Sequence, residues 1–280
     1  MLLRCVGPRL IHTIPGDDTM WSMALIHNEL FILRERRENQ VDVHSTTDFA
    51  LLRHLSIEGA MDANFRCSYL RNMAACSQKR CIYICNSGQY GIHRLGLDGS
   101  ANKWPLVAKP SRVSVTRSTN LLVSCTVDGD ELEKLLLLSS EDGACLRVFS
   151  PPLDDDFLLY DCRELSDDCY VISTGLFGDD IIGTGRVSHI DGEGRIIRST
   201  NIRLDCPSGM VKDSDKFIFV ADVAIAKVVV FDPTLGYVCS LTDGLGTEII
   251  GSRLVYDELS RRLYVSHGTP NNESVLVIQL

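Results

Sequence analysis

One short phrase returns six times along the chain: an apolar residue, usually an aromatic, then a β-branched residue. The copies are Leu30-Phe31-Ile32, Ile82-Tyr83-Ile84, Leu121-Leu122-Val123, Cys169-Tyr170-Val171, Ile218-Phe219-Val220 and Leu263-Tyr264-Val265. Their middle residues are 52, 39, 48, 49 and 45 positions apart. Strand-forming triplets at a period in this range predict an all-β fold, a β-propeller of four-stranded antiparallel blades. Six such repeats occupy nearly all of the 280 residues, so a single domain over 1–280 is expected.

The fifth repeat reads most clearly. Cys206-Pro207-Ser208-Gly209-Met210-Val211 enters a strand and Asp213-Ser214-Asp215 turns it. Lys216–Asp222, Lys227–Phe231 and Tyr237–Leu241 follow as further strands, with Asp232-Pro233-Thr234-Leu235-Gly236 between the last two. Short β-branched and aromatic runs between turn residues are the strand signature. Other third strands end at Asp98-Gly99, Asp142-Gly143 and Asp191-Gly192, where Asp-Gly supplies the positive φ of a tight hairpin. The blades then fall at about 19–60, 61–107, 108–152, 153–201, 202–246 and 247–280. The sixth stops after three strands. Segment 9–16 resembles a fourth strand and is expected to complete it, closing the ring and removing open edges.

The net charge is −9, from 37 acidic and 28 basic residues, a balance that disfavours broad binding to nucleic acid or anionic membranes. No apolar run is long enough to span a bilayer. The first residues reach Pro8 and Arg9 without a long apolar segment, unlike a secretory signal. Eleven scattered cysteines, an odd number, suit buried reduced thiols better than a disulfide framework. A cytoplasmic protein is expected.

Phe219-Val220-Ala221-Asp222 followed by Lys227-Val228-Val229-Val230-Phe231-Asp232 resembles an NHL repeat. Pro207 and Gly209 match the start of that pattern, and Lys227 stands where the pattern prefers Arg. Ala224-Ile225-Ala226 replaces its Asn-His pair, and the other blades keep only the aromatic-Val/Ile core. The chain is thus similar to divergent NHL-like, TolB-type six-bladed propellers. The resemblance implies binding of protein or RNA through one face, as in tripartite-motif NHL domains. It also implies a third possibility, since related propellers include calcium lactonases and a zinc-dependent lyase. The paired Cys and Cys/His knuckles of a RING or B-box are absent from the sequence.

Few motifs carry chemistry. Cys76, Cys81 and Cys85 form the densest cysteine group, but a strand separates the last two, so packed thiols are expected. The histidines make no His-x-x-x-His pair, and His44, His54, His93 and His189 fall on outer strands. No Gly-x-Ser-x-Gly elbow occurs. Gly183-Thr184-Gly185-Arg186 and Gly244-Leu245-Gly246-Thr247 read as plain turns, and Asn272-Glu273-Ser274 as a chance glycosylation sequon. No catalytic residue, metal or cofactor is expected.

Three residues after each middle position lie Arg34, Asn86, Cys125, Ser173, Asp222 and His267. Pseudo-symmetry predicts that they line one end of an axial channel, with too few carboxylates for calcium. The loops speak more strongly. Asp128, Asp130 and Glu131, then Asp154, Asp155 and Asp156, then Asp179 and Asp180 should share one face, with Phe177 as an apolar anchor. This face is expected to bind a basic protein or peptide in a non-catalytic, scaffolding role. RNA binding by Arg34, Arg36 and Arg37, near Arg66, Tyr69 and Arg71, is the alternative. A metal-dependent enzyme with an axial site is the third reading.

Overall fold

A computed structural model describes residues 7–35, 40–57, 70–126, 133–153, 157–176, 183–245, 249, 251–269 and 271–280. The first strand, β1 (Arg9–Ile14), is followed by six groups of strands that form six four-stranded antiparallel sheets. Contacts divide the chain into two compact units, residues 18–151 and residues 1–17 with 152–280.

The unit of residues 18–151 holds three blades. The first is β2 (Met20–Ile26), β3 (Glu29–Arg34), β4 (Gln40–Ser45) and β5 (Leu51–Ser56). The second is β6 (Leu70–Cys76), β7 (Cys81–Asn86), β8 (Gly91–Gly96) and β9 (Ala101–Pro105). The third is β10 (Lys109–Val115), β11 (Leu121–Thr126), β12 (Glu133–Leu138) and β13 (Cys145–Phe149). The other unit starts with β14 (Phe157–Ser166), β15 (Cys169–Leu176), β16 (Arg186–Asp191) and β17 (Ile196–Ser199). Its second blade is β18 (Pro207–Lys212), β19 (Ile218–Asp222), β20 (Lys227–Phe231) and β21 (Tyr237–Ser240). Its last is β22 (Leu254–Asp257), β23 (Arg262–Thr269) and β24 (Asn272–Gln279), completed by β1 against β24. All six expected blade boundaries contain these strands, and the N-terminal strand does finish the sixth sheet.

The second strand is the apolar centre of a blade, because its faces meet neighbouring sheets within each unit. Phe31 and Leu33 pack with Ile82 and Ile84 of the next blade, and Tyr83 faces onward to Leu121 and Val123. In the other unit Val171 packs with Ile218 and Val220, and Phe219 with Leu263 and Val265. Phe31, Tyr83, Phe219 and Tyr264 are at most 1% exposed, and burying a side chain of this size stabilises by about 1.5–3 kcal/mol.

Blade four differs from the expected register. Val171, not Tyr170, takes the place of Phe31, Tyr83 and Phe219, since it is Val171 that faces the following blade. The hairpins between first and second strands confirm it. Arg80, Thr119, Asp168, Lys216 and Arg261 have φ of 47, 67, 51, 67 and 54°, each three residues before the central residue, whereas His27 of the first blade (φ 50°) is four before Phe31. A one-residue slip exchanges the two faces of a strand, so the equivalent of the expected channel residue is Thr174 rather than Ser173. The left-handed conformation costs a non-glycine residue about 1–2 kcal/mol, yet the hairpins repeat it.

The hairpins after third strands follow a second rule. Asp48, Asp98, Asp142, Asp191 and Asp232 each turn Oδ1 onto backbone N–H groups of the loop, at 2.7–3.3 Å. The positive φ falls on Phe49, Gly99, Gly143, Gly194 and Leu235, so in the fourth blade it is Gly194 and not Gly192 that bends the turn. At Gly143 the need is double: φ is +75° and a Cβ would lie 2.3 Å from Trp104 Cγ. The fifth blade's second strand also starts later than expected, because Lys216 takes the left-handed turn and Asp213 Oδ1 accepts the N–H of Phe217 at 2.9 Å.

First strands carry a bulge at one place. The register slips between Met20 and Ser22, Leu70 and Asn72, Pro110 and Arg112, Leu159 and Asp161, and Pro207 and Gly209. The side chain just past each bulge reaches the unpaired edge of the following blade's first strand. Ser22 Oγ accepts the N–H of Met73 at 2.9 Å, Asn72 Oδ1 that of Val113 at 2.9 Å, and Asp161 Oδ2 that of Met210 at 2.8 Å. Arg163 adds a bond from Nε to the Met210 carbonyl at 3.0 Å. At the corresponding place in blade five stands Gly209, where a Cβ would fall 2.2 Å from the Ser252 carbonyl oxygen. Gly209→Ala should therefore lower the unfolding free energy by about 3 kcal/mol through overpacking. A urea midpoint unchanged from wild type would show that the two backbones are not in contact there.

Among the described residues eight cysteines are free thiols, including Cys76, Cys81, Cys85, Cys125 and Cys162 in the interior. Cys76 and Cys81 are direct cross-strand partners, and the three grouped cysteines pack with Tyr83, Ile92 and Trp104. One correction applies: Cys239 is disulfide-bonded. It sits on β21, the outermost strand of its blade. Among the described residues no helix is long and apolar enough to cross a membrane.

Candidate functional site

The second-strand ends, expected to line a channel, bond largely within their own blades. Arg34 is 2% exposed, and its Nε lies 3.5 Å from Asp42 Oδ2 on the adjacent strand. Asp42 Oδ1 meets His54 Nδ1 at 2.8 Å. Arg34 thus closes β3 from within and is not the exposed loop cation that RNA contact requires. Arg36 and Arg37, its companions in that reading, lie outside the described residues.

Asn86 is fully buried. Its Oδ1 accepts the Gln89 N–H at 3.0 Å, and its Nδ2 donates to Gln89 Oε1 and meets His93 Nε2, each at 3.2 Å. The amide therefore shapes the turn between β7 and β8. Cys125 lies in the same apolar cluster as Tyr83 and Cys85, and burial pushes its thiol up to about 12.

In the other unit Asp222 performs the clearest task. Oδ2 accepts the N–H of Asp205 at 2.9 Å and Oδ1 that of Cys206 at 2.7 Å. Both oxygens hold the connection that leads into Pro207. Burial raises the carboxyl above the usual aspartate range in spite of these two donors, and the neighbouring Asp205 charge adds to the rise. The Asp of the NHL-like stretch is thus a loop clamp. Ser173 Oγ and His267 Nδ1 are buried without a hydrogen-bond partner among the described residues.

Asp222→Ala would leave the Asp205 and Cys206 amides without acceptors, a loss of about 1–3 kcal/mol. Amide exchange at these two residues should accelerate tenfold or more (about 1.4 kcal/mol per factor of ten). Protection equal to wild type would remove the clamp.

The residues expected to bind a partner, Asp128, Asp130, Glu131, Asp154, Asp155, Asp156, Phe177, Asp179 and Asp180, lie outside the described residues. The described part of that loop side in blade four has the opposite charge. Gly183, Thr184, Gly185 and Arg186, expected as a plain turn, face Ser199–Arg203 across an open cavity of about 380 Å³, with Phe157 and Leu176 in its wall. Gly183 donates its N–H to Asp205 Oδ1 at 2.6 Å, and Gly185 pairs with Leu204 through both backbone bonds. Sequence reading missed this cavity because its two sides are separated along the chain.

His44, His54, His93 and His189 do lie on third and fourth strands, in β4, β5, β8 and β16. His189 is 8% exposed, and its Nε2 has no hydrogen-bond partner among the described residues. Burial, and secondarily the charge of Arg198 opposite it on β17, holds its pKa below the ordinary imidazole value. The folded state therefore keeps the neutral ring, and the stability tied to it is complete above about pH 6.5. That contribution is lost as pH falls below this value, where the unfolded chain takes up the proton first. The urea midpoint of the wild type should drop between pH 7.5 and 5 by more than that of His189→Gln. Parallel pH profiles would exclude the ring as the source.

Among the described residues no group of three or more His, Cys, Asp or Glu side chains is placed to hold a metal ion. No protein-family model matches the chain, and no curated protein matches it. Solved structures do. Hydrazine synthase from Kuenenia stuttgartiensis superposes with a TM-score of 0.64 at 12% identity, over 95% of this chain and 96% of that one. A streptogramin B lyase gives 0.64 at 11%, over 96% and 86%. A gluconolactonase from Xanthomonas campestris gives 0.65 at 14%, over 96% and 91%. At such identities the likeness is one of fold: the chain is an all-β, six-bladed β-propeller.

Proposed function

We propose that this propeller is a non-catalytic recognition scaffold, NHL-like in type, that docks a basic protein or peptide on the side of its second-to-third loops. One observation carries the reading. Arg34, Asn86 and Asp222 bond to the strands and turns of their own blades, so the positions where a propeller could gather a catalytic set are engaged in holding the fold. What remains for recognition is the loop sequence. Its acidic runs, Asp128 to Glu131, Asp154 to Asp156 and Asp179 to Asp180, would supply charge complementary to the partner, and Phe177 an apolar anchor. With Arg34 buried, RNA binding loses one of its three proposed contacts.

Replacing Asp154, Asp155 and Asp156 by Lys, and separately Asp179 and Asp180, tests the docking side. Arrayed Lys/Arg-rich peptides should bind the wild-type protein in a salt-sensitive way, and each variant at least tenfold more weakly. Retention of the same peptides by both variants would reject it.

A hydrolytic or lyase activity is the second reading, favoured by the unpartnered Ser173 Oγ and His267 Nδ1 and by the lyase and gluconolactonase among the structural neighbours. Hydrolysis of a sugar lactone, followed by acid release and abolished in His267→Ala, would put that reading first.

A further inference from the structure

We infer that Cys76 and Cys81 form a two-coordinate site for a soft monovalent cation, the cuprous ion. The inference is independent of the docking reading, because it concerns the hairpin between a first and a second strand rather than the loop side. The sequence groups Cys81 with Cys85, but the register of blade two brings it to Cys76. The two are direct partners across β6 and β7, so their side chains leave the sheet on one face, with Cβ atoms about 4.5–5.5 Å apart. A linear ion with metal–sulfur bonds of about 2.3 Å spans sulfurs about 4.6 Å apart. Cys85 lies four residues further along β7, about 13 Å away, too far to bind the same ion. Zinc takes four ligands, and among the described residues no third His, Cys, Asp or Glu joins the pair. Two thiolates without a further donor suit a cuprous ion, which soft sulfur ligands select.

The groups around the pair suit the charge of that complex. Arg94, directly opposite Tyr83 on β8, places its guanidinium beside the Cys81 thiol and the Tyr83 hydroxyl. The carboxylate in its field, Asp98, belongs to the next hairpin and turns Oδ1 onto the N–H and hydroxyl of Ser100 at 2.9 and 2.7 Å. Burial pushes the Cys81 thiol and the Tyr83 phenol up, so both are neutral, and among the described residues Arg94 touches no anion. Tyr83 is fully buried, and its hydroxyl has no hydrogen-bond partner of good geometry. When a cuprous ion binds, each sulfur exchanges its proton for a bond to the metal and two protons go to solvent. The bis-thiolate complex carries one negative charge. Arg94 balances it, as a buried charge requires, and the Tyr83 hydroxyl gains a thiolate acceptor. Trp104, Leu121 and Leu138 pack in the same cluster and keep water from the ion. Ser77, Gln78 and Arg80 of the joining turn are exposed, which gives a route of entry. Segment 58–69 joins β6 at Leu70, the end of the strand opposite to Cys76.

The test titrates the full chain anaerobically with Cu(I), and with Ag(I) as a redox-inert stand-in, against the chelator bicinchoninate. A single tightly held equivalent is expected, and X-ray absorption should show a copper with two sulfur ligands. Cys76→Ala and Cys81→Ala should each abolish tight binding, and Arg94→Gln should weaken it about tenfold or more. Cys145→Ala, which removes an exposed thiol, should leave it unchanged. Amide shifts on addition of Ag(I) should map to Cys76, Cys81 and Arg94, which locates the site even if a variant folds poorly. Loss of both ions to the chelator would overturn the inference. So would affinity unchanged in either cysteine variant or in Arg94→Gln, a copper with three or more ligands, or shifts confined to another hairpin.

Discussion

The bulge in the first strands is the constraint on which the blades depend. The residue just past it turns a side chain onto N–H groups at the unpaired edge of the next blade's first strand, where an unsatisfied buried donor costs about 1–3 kcal/mol. Each blade within a unit answers for the next: Ser22 for Met73, Asn72 for Val113 and Asp161 for Met210. The bond therefore joins sheet to sheet and fixes how the apolar second strands face one another. Burial of apolar side chains such as Phe31, Tyr83, Val171 and Phe219 stabilises the blades, but burial has no direction. The side-chain-to-backbone bonds give it one.

The same arrangement explains why the repeats are hard to see. A single backbone requirement is met by a hydroxyl in blade one, an amide in blade two, a carboxylate in blade four, and close backbone approach at Gly209 in blade five. No common residue marks the position, so the repeat survives only as an apolar pattern. The Pro207, Gly209 and Asp222 signature of blade five is in this sense a local solution. Gly209 admits the Ser252 backbone, and Asp222 holds the two amides before Pro207.

What could be read from the sequence follows from what is local. The apolar triplets located all six second strands, and the closing role of the N-terminal strand followed from its likeness to other fourth strands. The slip at blade four did not, because Tyr170 and Val171 are both apolar and either could be the central residue. The answer lay in the left-handed Asp168, and a non-glycine residue at positive φ leaves no mark in composition. Arg34 misled for a related reason. An arginine before a charged loop looks exposed until its strand partner is known, and the partner, Asp42, belongs to the next strand of the sheet.

Function is constrained by this economy of polar groups. Asn86 and Asp222 bind turns, Arg34 binds Asp42, and Cys125 is packed among apolar side chains as a neutral thiol. Changing any of these disturbs a blade before it alters a ligand. Loop carboxylates carry obligations too: Asp48, Asp98, Asp142, Asp191 and Asp232 hold hairpins, and Asp205 between blades holds Gly183. The cavity beside Gly183 shows how the two roles meet. Backbone bonds between Gly185 and Leu204 hold its wall as a sheet ladder would, and Arg186 and Arg203 are the charged residues among the described ones that line it. A rigid frame with chemically independent edges can change what it recognises without changing how it folds.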